Sequence, residues 1–204
     1  MPSAYAEGRD LHTLTARNLT SCEDVSKDDR KLAKAVNFGL LYGMGATGLQ
    51  SYALKSYGVE MRSQEASLYR RCFFKTYPGL KRWHERERRA WLRGETETRT
   101  LTGRRRTHVQ KLTDRLNAPV QGTAADILKL ALAELWEDCE AYPHAFPVLT
   151  VHDEVVIECD EKDARAVAAW LSETLRRAVD LVLGLQELAG EDAVEATIAP
   201  SWED

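Results

Sequence analysis

The chain of 204 residues has no apolar run near the ~18 to 20 residues that a membrane span needs. Its first ten residues, Met1 to Asp10, lack a basic stretch followed by an apolar one, so no secretory leader is expected there. Cysteine is sparse. Cys22, Cys72, Cys139 and Cys159 stand far apart and form no Cys-x-x-Cys pair. That argues against a disulfide framework or a zinc ribbon and for a reduced, cytoplasmic protein. There is no internal repeat and no low-complexity tract. What remains is ordinary globular material, 44% apolar and 29% charged, in one domain or two small ones.

The charge is uneven. The formal net of −4 argues mildly against a nucleic-acid binder. Yet residues 70–111 hold 14 basic and 4 acidic residues, a net of +10, while residues 134–204 hold 4 basic and 18 acidic, a net of −14. Such polarity fits a molecule with one face for polyanions, and it equally fits two solvated helical faces.

Helix signals dominate the first half. Ser26-Lys27-Asp28-Asp29 is a helix start, with a capping serine and acids at the positive helix end. A helix is expected from about Asp28 to Tyr42, ended by Gly43-Met44-Gly45, then one near Gly48 to Tyr57, and one from Ser63 to Thr76. After the break at Pro78-Gly79 comes a basic helix to Arg93. Thr96, Thr98, Thr100 and Thr102 alternate with other residues, the period of a strand or hairpin. Pro119 suits the first turn of a further helix, with Asn117 as its cap. That helix should turn Ile127, Leu128, Ala131, Leu132, Leu135 and Trp136 to the core. Val148 to Val151 and Val155 to Glu158 flank His152-Asp153-Glu154 as a tight hairpin. A helix from about Asp163 to Leu183 and a strand from Ala193 to Ile198 complete the expectation, which is an α+β fold. Gly43-x-Gly45-x-x-Gly48 matches a dinucleotide fingerprint by letter, but a helix precedes it where a strand is required, so these glycines are a helix stop.

One helix carries more than packing. Arg30, Lys34, Phe38 and Tyr42 recur every fourth residue, a slowly drifting stripe about 18 Å long. Cations occupy one end and aromatics the other. A nucleotide has the same polarity, phosphates at one end and a flat base at the other. Arginine can hold phosphate oxygens bidentately, lysine acts as a point charge, and aromatic faces take bases. A solvated edge beside two core aromatics is the competing account.

The run RKLAKAVNFGLLYG, from Arg30 to Gly43, resembles the fingers-helix motif of family A DNA polymerases, the DNA polymerase I class. GRDLHTLTA (Gly8 to Ala16) resembles the stretch before that helix, LNAPVQGTAADILK (Leu116 to Lys129) the palm helix, and VHDEVVIE (Val151 to Glu158) the palm hairpin. The four occur in family order and cover nearly the whole chain. The resemblance implies a helical fingers subdomain over residues 1–112 and part of a palm subdomain, with a small antiparallel sheet, over 113–204. It implies nucleotidyl transfer from a deoxynucleoside triphosphate to a primer 3′-hydroxyl on template DNA, in the cytoplasm and on the nucleoid. His12, Arg30 and Lys34 would meet the triphosphate, with Lys34 also the acid for leaving pyrophosphate. Phe38 would stack by base and sugar, and Tyr42 would lie near the templating base. Asp153 would bind Mg²⁺, supported by Glu154, and His152 would approach the primer terminus. Asn117 and Gln121 would reach the minor groove, and Arg104, Arg105 and Arg106 the phosphate backbone.

The sequence also departs from the family pattern. The upstream palm motif that supplies a second metal-binding aspartate is not found in residues 1–11, and no thumb is present. Where the family often has an arginine four residues before the palm-helix asparagine, this chain has Thr113, and the nearest arginine is Arg115. The expectation is a chain that does not polymerise alone, either one part of a split enzyme that needs a separate N-terminal chain or a truncated frame, with a palm sheet whose uncovered edge invites association. A non-catalytic DNA- or nucleotide-binding module is the alternative.

Overall fold

The computed structural model describes residues 9–184 and 194–202. The chain divides into two compact units, Met1–Arg99 with Arg105–Pro119, and Thr100–Arg104 with Val120–Asp204.

The first unit is helical. Its first helix, α1 (Leu11–Thr20), lies in a stretch too polar for apolar spacing to reveal it; the start is set by Asp10, whose carboxylate accepts from the His12 and Thr13 N–H groups. Helix α2 (Lys27–Leu41) opens on a capping box in which Ser26 and Asp29 satisfy each other's backbone N–H. It stops at Gly43, whose φ of 82° is one that side chains resist, and where a Cβ would lie 2.6 Å from Leu116. Helix α3 (Ala46–Tyr57) packs on α2 across Gly39, where a Cβ would come within 2.8 Å of Leu49 Cδ1. Helices α4 (Ser63–Thr76) and α5 (Pro78–Leu92) follow, the latter with proline at its first position, where a missing N–H costs nothing. Val36, Leu40, Leu49, Ala66, Phe73 and Tyr77 form the core. Within it, the Tyr77 hydroxyl and Thr15 Oγ1 share a hydrogen bond of 2.7 Å.

The threonine-rich stretch is a minimal hairpin, β1 (Thr98–Arg99) against β2 (Arg105–Arg106). It is tied down by Arg115, whose side chain is only 6% exposed. Arg115 pairs with Glu87 of α5 at 2.9 Å and donates to the carbonyls of Glu95 and Glu97.

Helix α6 (Leu112–Glu137) corrects two expectations. It begins well before Pro119, so Pro119 lies inside it and Asn117 is a helical residue, not a cap. Proline costs least at a first turn, which is why sequence alone puts the start there, but buried Arg115 and Leu116 extend the helix upstream. Trp136 is the second correction. Ala131 and Leu135 are fully buried, whereas Trp136, one step round from Leu135 and off the edge of the stripe, is 77% exposed.

In the second unit, β3 (Ala145–Val151) pairs with β4 (Glu154–Cys159) in an antiparallel hairpin, irregular between Pro147 and Leu149. Helix α7 (Ala164–Leu183) supplies Val167 and Trp170, which pack with Leu135 and Ala145, and Tyr142 stacks on Trp170 at 4.4 Å. The last expected strand is corrected in part. Ala193 lies outside the described residues, and 194–198 form no strand, because β-branched content without a ladder partner does not make one. No helix among the described residues is long and apolar enough to cross a membrane.

Candidate functional site

Most sequence-predicted residues fall into two groups, one in each unit, while Arg105, Arg106 and Asn117 of the first unit and Arg104 and Gln121 of the second stand apart from them. The first gathers on α1 and α2. Arg30 is exposed on α2, and its Nε donates to Asp10 Oδ2 at 2.8 Å. Asp10 therefore does two jobs, capping α1 and holding the guanidinium. Burial pushes its carboxyl up, but hydrogen bonds from Arg30, Thr13 and the His12 and Thr13 backbones outweigh this and hold it well below the usual carboxylate range.

His12 sits beside this pair. Its Nδ1 lies 2.9 Å from Asn37 Nδ2, and its ring is tilted against Phe38 with centroids 5.6 Å apart. Burial lowers the affinity of the imidazole for a proton; Asp10 opposes that, and Arg30 and Lys34 add to it. Lys34 is exposed one turn beyond Arg30, and Phe38, 39% exposed, comes one turn later. Tyr52 of α3 lies near enough for Lys34 to act on it, yet burial and Tyr57 push its phenol up to about 12, so it stays a neutral hydroxyl. Tyr42 stands at the C-cap of α2, and the preceding carbonyl, that of Leu41, is hydrogen-bonded by His84 Nε2 at 2.8 Å. The face thus runs from two cations and an imidazole to an aromatic ring. It can take an extended anion with an apolar end.

Asp10 and Asn37 are site residues that sequence reasoning missed. For Asp10 a signal existed, a helix cap just before His12. For Asn37 there was none, since its partner is 25 residues away on another helix.

The basic residues behave differently. Arg104 donates to Asp126 at 2.6 Å and to the Gly122 carbonyl, and Arg105 pairs with Glu97. Asp126 is itself held low: burial pushes it up, but Thr102, Thr100 and Arg104 more than compensate. Arg106 is exposed at the end of β2. Arg115 is buried in its carboxylate cluster, so it does not stand in as an exposed cation for Thr113.

The second group lies at the β3–β4 turn. His152 and Asp153 form the two-residue connection and Glu154 opens β4. All three side chains are exposed. His152 has a φ of 56°, the positive value that tight hairpin turns demand and that non-glycine residues adopt at a cost. On α6, Gln121 is exposed, and Asn117 is half-buried with Oδ1 lacking a partner. Among the described residues no three His, Cys, Asp or Glu side chains converge as a metal cluster.

Comparison with known proteins covers both groups. The family model for DNA polymerase family A matches residues 1–204. DNA polymerase I of Aquifex aeolicus is 38% identical over 99% of this chain and 35% of its own length. DNA polymerase I of Deinococcus radiodurans is 35% identical over 100% of this chain and 21% of its own. The thermostable DNA polymerase I of Thermus aquaticus is 35% identical over 97% of this chain and 24% of its own. Among solved structures, the POL domain of Pol1 from M. smegmatis, in complex with DNA primer-template and dNTP, superposes with a TM-score of 0.73 at 27% identity, over 87% of this chain and 33% of that one. The chain spans about a third or less of the length of these relatives. With its motifs in order along the sequence and the match running from end to end, this chain belongs to DNA polymerase family A.

Proposed function

We propose that this chain provides the fingers and the C-terminal part of the palm of a DNA-directed DNA polymerase, residues 1–112 and 113–204 respectively. The observation that carries it is the ordered face of α1 and α2, Arg30, Lys34, His12 and Phe38, whose polarity is that of a deoxynucleoside triphosphate. The likeness to a Pol1 domain described with primer-template and dNTP supports it.

Arg30 and Lys34 grip the triphosphate, and Lys34 delivers a proton to departing pyrophosphate. Phe38 takes the sugar and base, and Tyr42 closes the end of the face. Asn117, Gln121 and His152 meet the primer-template, and Arg106 binds backbone phosphate, joined by Arg104 and Arg105 if DNA draws them from their carboxylates. Asp153 offers one aspartate to Mg²⁺, with Glu154 beside it. That fits an ion that takes few protein ligands and draws the rest from water and phosphates. The metal, when bound, supplies charge neutralisation at the phosphates and a more acidic primer hydroxyl.

Primer extension tests the proposal. The chain is assayed alone and mixed with a chain carrying the N-terminal part of a family A polymerase. Extension is expected in the mixture, abolished by Asp153→Ala and slowed about 100-fold or more by Lys34→Ala. Salt-dependent DNA binding without turnover in that mixture would sink the catalytic assignment and leave a binding module.

A further inference from the structure

The contact between Asn37 and His12 has no part in the assignments above, and its chemistry is directional. An amide nitrogen can only donate, so the ring nitrogen it faces, Nδ1, must accept. A neutral imidazole that accepts at Nδ1 carries its proton on Nε2. The other end of the amide is informative. Asn37 Oδ1 is buried and finds no hydrogen-bond partner. A carbonyl buried unpaired weakens a fold, and an apolar side chain would serve stability better at this position. What Asn37 does have is His12. The groups that act on His12 keep the ring neutral on balance: burial, Arg30 and Lys34 disfavour its protonated form, and Asp10 alone favours it.

We infer that Asn37 is a positioning residue that fixes His12 in the Nε2–H tautomer and so makes that N–H a donor to an oxyanion of the bound nucleotide. Phe38, packed against the imidazole, limits its tilt, and Asn37 limits its rotation. Without Asn37 the ring is free to place its proton on Nδ1, which would aim the Nε2 lone pair at the anion instead. The nucleotide part of this inference rests on the function proposed above; the tautomer does not.

The test uses the full chain labelled with ¹⁵N-histidine. Long-range ¹H–¹⁵N spectra separate protonated from unprotonated ring nitrogens, and His12→Gln assigns the resonance. The wild type should show Nε2 protonated and Nδ1 bare, and Asn37→Leu should give a mixture of tautomers. A wild-type ring protonated on Nδ1, or already mixed, overturns the inference whether or not the variant folds. For dATP, Asn37→Leu should weaken binding about two- to tenfold, with no further loss in a His12→Gln background. An equal loss in both backgrounds would mean a merely structural role and would overturn it. If the tautomer is as expected but dATP does not bind, the positioning by Asn37 stands and the nucleotide site falls.

Discussion

Asp10 joins α1 and α2 through one side chain. Asp10→Ala removes a helix cap worth about 1 kcal/mol; its exposed pairing with Arg30 adds at most a few tenths. The sign with pH follows from the lowered carboxyl. Unfolded, it titrates near its ordinary value of 3.8; folded, well below that. Its contribution is complete above that value and fades as acid protonates it. Urea unfolding should therefore separate wild type from Asp10→Ala at pH 7, and the gap should narrow below about pH 4. A gap that widens in acid would contradict the ion pair. At this scale the sequence showed what lies on one helix: Arg30, Lys34, Phe38 and Tyr42 are a period of four. It did not show Asp10 or Asn37 as site residues, because their contacts cross between helices 20 and 25 residues apart, and no local period encodes such a pairing.

Elements were legible where local chemistry decides them. Ser26 with Asp29 and Gly43 mark ends that the structure keeps, because caps and positive φ are local properties, whereas the expected break at Pro78-Gly79 is the first turn of α5, where proline's missing N–H costs nothing. Pro119 misled for the same reason in reverse. The start of α6 is set by tertiary burial of Arg115 and Leu116, against the local preference of proline. Arg115→Ala should leave buried Glu87 with only the exposed Arg86 as its partner and cost about 3 kcal/mol in urea unfolding. A loss under 1 kcal/mol would show the cluster to be solvated. Gly39→Ala tests the α2–α3 contact. The added methyl meets Leu49 Cδ1 at 2.8 Å, so a cost of about 1 to 3 kcal/mol is expected from the same measurement.

For the whole molecule, the charge map overstates what DNA can use. Residues 70–111 carry 14 cations, yet Lys81, Arg86, Arg93, Arg99, Arg104 and Arg105 already face carboxylates within 4.0 Å. Anisotropy of a labelled primer-template across a KCl series should give a log–log slope no steeper than about −7 from this segment. A steeper one would mean that DNA breaks those pairs. The β3–β4 hairpin sets a different limit. Phe146, 59% exposed, with Val148 and Leu149, leaves an apolar strip on a strand whose outer edge no ladder covers among the described residues. Such a strip is a colloidal liability. Concentration, before heat, should then bound the conditions under which this protein stays monodisperse: light scattering should climb with protein concentration well below the melting temperature, and Phe146→Lys should raise the concentration at which it begins.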